Sequence, residues 1–154
     1  MYKIVEKKWL TPIICYMDVE APDLAASAQP GQFLIIKTDA KGERIPLTIC
    51  DYDRKKGTVT IVFQVLGEST KKMGEFEKGE YFADVVGPLG QPSELIHTDM
   101  EELKKKKYLF VAGGVGTAPV YPQVKWMKEN GMECLPAIAR HHSRILAEYP
   151  EEKR

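Results

Sequence analysis

The chain has 154 residues, in which 22 Lys and Arg balance 22 Asp and Glu and 44% of positions are hydrophobic. That composition belongs to a folded globular protein and excludes a disordered, collagen-like or coiled-coil chain; with no surplus of basic residues, nucleic acid is not an expected partner. No apolar stretch approaches the ~20 residues that cross a bilayer, and the opening MYKIVEKKWL lacks a leader-like apolar core, so no membrane partner is expected and the expected location is cytoplasmic.

The first hundred residues read as β-structure. Ile13, Cys15, Met17 and Val19 alternate with Ile14, Tyr16 and Asp18, the period of a strand. Pro30-Gly31 is a turn signal before a β-rich segment over 32–38, and Lys41-Gly42 leads into a strand over 45–51. Lys56-Gly57 turns the chain into 58–65, where Val59, Ile61, Phe63 and Val65 share one face. A short helix is predicted over 70–76. Lys78-Gly79 opens a strand over 80–86 that ends at Gly87-Pro88. Short strands with a turn between each predict a small antiparallel barrel or sandwich.

The character changes near residue 100. Residues 101–107 end in four lysines and read as a charged, solvated connector. Tyr108-Leu109-Phe110-Val111-Ala112 is a continuous apolar run, predicted to be a parallel strand buried on both faces. Gly113-Gly114-Val115-Gly116-Thr117 follows directly. Pro119 suits a first helical turn, Val120, Val124 and Met127 keep helical spacing, and Asn130-Gly131 supplies the stop. A strand candidate over 132–139 completes one βαβ unit. Two domains are therefore expected, 1–100 and 101–154.

A helix N-terminus presents unpaired N–H groups and partial positive charge, and glycine lets backbone approach phosphate oxygens closely. The loop Gly113, Gly114, Val115, Gly116, Thr117, Ala118, Pro119 thus suits a diphosphate. It matches the G-x-G-x-x-G pattern except that Pro119 holds the last place, and a plain strand-to-helix turn is the alternative. In the β-rich part, Arg44-Ile45-Pro46-Leu47-Thr48 starts one strand and Gly67-Glu68-Ser69-Thr70 starts a helix. A guanidinium near hydroxyls and a helix N-terminus could hold a second diphosphate. On spacing alone, a surface charge at Arg44 and an ordinary strand residue at Thr48 remain the alternative.

Motif content and order together resemble the ferredoxin–NADP reductase superfamily, over about residues 2–135. The resemblance rests on Arg44-Ile45-Pro46-Leu47-Thr48-Ile49, Gly87-Pro88-Leu89-Gly90 and the run from Gly113 to Pro122. It implies a six-stranded antiparallel FAD-binding barrel followed by a partial Rossmann-like βαβ NAD(P)-binding domain. Within the superfamily the chain is similar to the small subunits of sulfide dehydrogenase (NADH-dependent ferredoxin:NADP oxidoreductase) and to the electron-transfer subunit of dihydroorotate dehydrogenase. The implied activity is flavin-dependent oxidoreduction between NAD(P)H and the iron–sulfur or flavin centres of a larger oxidoreductase partner subunit, with ferredoxin reached indirectly.

The resemblance also implies site residues. The family's flavin motif falls on Ile45, Pro46, Leu47 and Thr48, with Thr48 at the flavin N5 edge and Leu47 packing where many relatives place Tyr. The family arginine aligns with Ile45, so Arg44 stands one place early, on the opposite strand face. Val62, Phe63 and Gln64 correspond to the segment along the ribityl and adenine portions, Gly67, Ser69 and Thr70 to the FAD diphosphate turn, and residues 113–119 to the NAD(P) diphosphate loop. No catalytic acid or base is required or assigned.

Relatives continue into further strands and helices and a cysteine cluster that ligates a [2Fe–2S] centre. Here Cys15, Cys50 and Cys134 are far apart and form no such cluster; they read as small buried hydrophobes. His97, His141 and His142 have no cysteine or carboxylate at ligand spacing, so no metal site is assigned. Arg140 and Arg144 read as a solvated tail rather than a clamp for a 2′-phosphate. The chain is expected to be a truncated or frame-slipped copy diverging near Cys134, with 108–139 docked on the β-rich part or poorly ordered. A non-catalytic β-barrel interaction module is the contrasting expectation.

Overall fold

The structure, a computed structural model, describes residues 1–138; Arg140, His141, His142 and Arg144 lie outside the described residues. Strands β1 (Tyr2–Thr11), β2 (Ile14–Glu20), β5 (Asp51–Asp53), β6 (Thr58–Gln64) and β7 (Tyr81–Phe82) form one antiparallel sheet in the order β5-β6-β2-β1-β7. Strands β3 (Phe33–Lys37), β4 (Arg44–Thr48) and β8 (Asp84–Leu89) form a second, in the order β4-β3-β8. The period-2 pattern is the reason they stack. Cys15, Met17 and Val19 of β2 and Val59, Ile61 and Phe63 of β6 turn one way, onto Leu34, Ile36 and Val85 of the second sheet. Leu24 and Ala25 of α1 (Pro22–Ser27) and Met73 of α2 (Glu68–Glu75) join that core.

Two expected strands are each broken in two, for one reason. After Thr48 the chain changes sheets: the Ile49 amide donates to Gln32 O at 3.1 Å, and the next amide, of Cys50, donates to Thr60 O at 2.9 Å. The segment 80–86 does the same at Ala83, whose amide reaches Thr38 O at 3.2 Å between β7 and β8. Such corners let two sheets share strands around one core. β8 does not stop at Gly87-Pro88; it passes through that cis peptide to Leu89. It is an edge strand, and its register with β3 shifts between Phe33 and Ile35, the setting in which a strand tolerates proline. Gly87 packs closely on the neighbouring strand: a Cβ there would sit 3.0 Å from that of Leu34, tighter than ordinary van der Waals contact.

The connector also differs from expectation. After α3 (Glu94–His97), residues 100–104 form α4 (Met100–Lys104). The Asp99 carboxylate accepts from the amides of Glu101 (2.9 Å) and Glu102 (3.2 Å), Glu101 and Glu102 occupy the positive end, and Leu103 is buried. The lysines that follow are exposed, as expected.

Strand β9 (Tyr108–Ala112), a 3₁₀ turn over Gly114–Gly116, helix α5 (Thr117–Glu129) and β10 (Cys134–Ile138) then make a parallel β-α-β unit, registered from Tyr108–Cys134 to Ala112–Ile138. β9 is not buried on both faces. Leu109 (65% exposed), Val111 (70%) and Leu135 (73%) face outward, while Tyr108 and Phe110 pack with Leu103, Met127 and Met132. Pro136 pairs opposite Phe110 on β10, which has a single paired edge among the described residues, so its missing amide breaks no ladder on the far side.

Of the expected helix stripe Val120, Val124, Met127, only Met127 is fully buried. α5 is instead wedged between two clusters. Its Met127 side meets Leu103 and Met132, and its Ala118–Tyr121 side meets Leu10, Ile14, Cys50 and Val62 on the outer face of the five-stranded sheet. The expected docking on the β-rich part is therefore present over the described residues.

Candidate functional site

β4 lies at the edge of its sheet, and that edge carries the first candidate group. Antiparallel ladders alternate, so the Ile49–Gln32 bond places Leu47 and Ile45 with their amides toward β3 and the Thr48 amide on the open edge. Pro46 has no amide to leave there. Side chains alternate as well: Ile45 and Leu47 pack on the core, whereas Arg44 and Pro46 are exposed and Thr48 is half-buried. The outward group at this edge is thus the amide of Thr48 beside its hydroxyl. The Arg44 guanidinium lies 3.5 Å from the Asp84 carboxylate across the sheet, so in this arrangement it is engaged away from the start of α2.

At the start of α2, Gly67 faces open space: a Cβ there would meet nothing within 4 Å. Two of the donors are internally used. The Thr70 hydroxyl accepts from the amides of Leu66 (3.0 Å) and Gly67 (3.1 Å) and donates to Gly67 O (3.0 Å). The Ser69 hydroxyl donates to the Glu43 carboxylate. Lys72 of the same helix pairs with Asp39, and that ammonium holds the Asp39 carboxyl below the usual carboxylate range. The loop between β3 and β4 is thus tied to α2 at Glu43 and Asp39, and Glu43 brings negative charge to the place where a diphosphate is expected.

The expected segment at the end of β6 divides sharply. Val62 is buried beneath α5 and Phe63 is in the central core, so of the three residues only Gln64 has a half-exposed side chain. The glycine loop comes close to this end of the sheet, because Val115 packs on the cluster of Leu10, Ile14, Cys50 and Val62. Within it, Gly114 has φ 57, the left-handed conformation glycine adopts without strain, and Gly116 is open on its Cβ side. Pro119 falls in the first turn of α5, as expected. Thr117 opens α5; it is 1% exposed, and its Oγ1 has no hydrogen-bond partner among the described residues. A buried unmatched hydroxyl costs about 1–3 kcal/mol.

The glycine loop thus meets the sheet at Val62, near the end of β6, while Thr48 ends β4 and α2 begins shortly after Gln64. Sequence reasoning missed a second set of residues. The Asp51 carboxylate, buried at the start of β5, accepts from Lys125 Nζ at 2.7 Å, and Tyr52 beside it has the Arg54 guanidinium 4.7 Å from its ring. Burial, partly offset by Arg54, raises the Tyr52 phenol above its ordinary pKa. A cleft of about 260 Å³ runs between Tyr52 and Trp126. The available signal was the four-residue spacing of Thr117, Tyr121 and Lys125, which places a lysine on the same helix face as two buried residues.

Cys15 and Cys50 are buried and Cys134 is half-buried. Among the described residues no group of three or more His, Cys, Asp or Glu could hold a metal ion. Among the described residues no helix is long and apolar enough to cross a membrane.

No protein-family model matches the chain. It is 68% identical over 152 residues, 99% of its length, to an uncharacterized protein encoded in the adh 3′ region of Clostridium beijerinckii, of which it covers 51%. It is 37% identical over 84% of its length to the Thermotoga maritima homolog of the dihydroorotate dehydrogenase B (NAD(+)) electron transfer subunit, covering 43% of it. The chain spans about half the length of these curated relatives. Among solved structures, a chain of the NADH-dependent reduced ferredoxin-NADP oxidoreductase, described for flavin-based electron bifurcation, superposes with a TM-score of 0.80 and 34% identity over 90% of this chain and 48% of that one. Phthalate dioxygenase reductase, which transfers electrons from pyridine nucleotides to [2Fe-2S], shares the fold at a TM-score of 0.65 and 16% identity, over 89% of this chain and 41% of that one.

Proposed function

We propose, for a chain that belongs to the ferredoxin–NADP reductase superfamily, that it is the flavin-holding part of an electron-transfer subunit working between NAD(P)H and a larger iron–sulfur partner, with ferredoxin reached through that partner. Residues 1–100 would form the FAD domain, its two sheets closing as the six-stranded family barrel, and 101–154 would form part of the Rossmann-like NAD(P) domain. The dihydroorotate dehydrogenase type of subunit is the nearest variant of this reading and differs in its partner.

Two observations support the proposal: the open edge of β4 at Thr48, and a glycine loop packed through Val115 near the end of β6, whose first helical residue, Thr117, holds a buried hydroxyl without a partner among the described residues. FAD, when bound, supplies the conversion between a two-electron hydride and single electrons. The chain's own residues would position it. The Thr48 amide and hydroxyl would face the N5 edge and Leu47 would support the ring from the core side. Gln64 would meet the ribityl portion, and the open backbone at Gly67 would receive the diphosphate. Gly114, Gly116 and Thr117 would receive the nicotinamide cofactor's phosphates at the start of α5. The Glu43 carboxylate must leave Ser69 for an anion to settle at α2.

That last contact favours a second reading, an interaction module that holds no nucleotide, because Glu43 already fills the Ser69 position. Reconstitution separates the two. The purified chain mixed with FAD and freed of excess is expected to stay yellow and to bleach anaerobically on addition of NADH or NADPH. A colourless chain that is nonetheless folded would favour the module.

A further inference from the structure

We propose that Lys125 is a positioning residue: its ion pair with Asp51 sets where α5 sits along the outer sheet, and so where Thr117 and the glycine loop stand relative to the Thr48 edge. The inference rests on the functional reading above and extends it to a residue outside the nucleotide motifs. Thr117, Tyr121 and Lys125 follow one another at four-residue steps along one face of α5, which rises ~1.5 Å per residue, so the loop end and the lysine are ~12 Å apart on the same side. The middle of that face, Ala118 and Tyr121, makes an apolar contact with Leu10, Ile14, Cys50 and Val62. Apolar contact holds the helix down but is not directional, so it leaves sliding and rolling weakly opposed.

The ion pair supplies the missing direction. Lys125 Nζ lies 2.7 Å from Asp51 Oδ1, with the lysine side chain 22% and the aspartate 2% exposed. Asp51 begins β5, three residues after β4 ends at Thr48, so the pair ties the helix of one candidate nucleotide site to the segment that follows the strand of the other. A buried pair of this kind contributes little net stability against an apolar replacement, and its best-attested effect is to fix register. A second polar link, Ser93 Oγ to Gln123 Oε1 at 3.0 Å, is uncharged and lands on the segment before α3.

The test uses the full chain loaded with FAD, followed by rapid mixing with NADH. In Lys125→Met the flavin content and absorbance should match the parent and the KM for NADH should change little, while the limiting rate of flavin reduction falls by ~10²-fold, the cost of a misplacement of about 1 Å. Lys125→Arg should recover most of that rate. If Lys125→Met fails to fold, the double variant Asp51→Asn/Lys125→Met, which leaves no buried charge, takes its place with the same expectation. A limiting rate equal to the parent's in the folded variant would overturn the proposal. A parent that takes up no FAD, or is not reduced, would instead refute the functional reading. In that event amide exchange decides the positioning claim: Lys125→Met should speed exchange over Thr117–Glu129, and unchanged protection there would overturn it.

Discussion

Tyr121→Ala is the sharpest test of how the helix carrying the glycine loop is held. Tyr121 is buried in the cluster of Leu10, Ile14, Cys50, Val62 and Ala118, which is where α5 meets the five-stranded sheet. An aromatic ring buries about 150–250 Å², worth about 4–6 kcal/mol as an upper bound at 25 cal/mol per Å². Truncations of this size in cores cost about 3–5 kcal/mol; because this cluster is small and can partly collapse, about 3–4 kcal/mol is expected. For a chain of this length that is a fall in Tm of roughly 6–16 °C. Urea unfolding should be followed at both tryptophans, since Trp126 lies in α5 and Trp9 in β1. The Trp126 signal should be lost at lower urea than in the parent. Tyr121→Phe should lose only about 1 kcal/mol, the net worth of a hydroxyl contact. A loss below about 1 kcal/mol for the alanine variant would refute the reasoning, because it would mean that α5 is not held by this contact.

Three further outcomes follow from particular contacts. Burial pushes the Cys15 thiol up to about 11 from its ordinary 9. The folded state therefore holds that proton where the unfolded chain has released it, so stability is full below pH 9 and falls as pH rises toward 11, by at most ~2.7 kcal/mol from this group; the urea midpoint at constant salt should decline over that window, and decline less in Cys15→Ala. Gly31 has φ +93 and a Cβ there would lie 2.8 Å from the Ser93 amide nitrogen, whereas Gly79 has φ +96 in open space. Gly31→Ala should cost about 2–3 kcal/mol in thermal unfolding and Gly79→Ala about 1–2, and equal losses would show that the Ser93 contact is irrelevant. Asp99→Ala removes the acceptor for the Glu101 and Glu102 amides and should cost about 1 kcal/mol, read as faster amide exchange in α4.

Much of this architecture is legible in the alternation of single strands. Val59, Ile61 and Phe63, and Cys15, Met17 and Val19, point to the same core that the structure shows, because period-2 burial is a local property of the chain. The corners at Ile49-Cys50 and Ala83 were not legible, since a strand that changes sheets keeps an uninterrupted β pattern and the break appears only when each amide finds its partner. α4 was hidden by its lysines, although Asp99 followed three residues later by Glu102 is a capping signal. The apolar run at β9 reads as buried on both faces, and the structure leaves Leu109 and Val111 outward because hydrophobic sequence does not say whether a covering layer is present.

For the candidate site, the motifs located Thr48, Gly67 and the glycine loop at element ends. What sequence could not show is occupancy of side chains by one another. Thr70 is taken up by its own helix start, a local contact, whereas Ser69 is taken up by Glu43 and Arg44 by Asp84, two contacts between residues distant in the chain. The Asp51–Lys125 pair joins positions 74 residues apart; helical spacing signals the face on which Lys125 lies but not its partner.

The account turns on FAD lying against the open edge of β4. Amide chemical-shift mapping of the full chain titrated with FAD tests this most directly. Shifts should concentrate at Leu47, Thr48, Gln64 and Gly67–Thr70, with Gly114–Thr117 moving when NADH or NADPH is added next. Shifts confined to the cleft between Tyr52 and Trp126, or no shifts at saturating FAD, would contradict it.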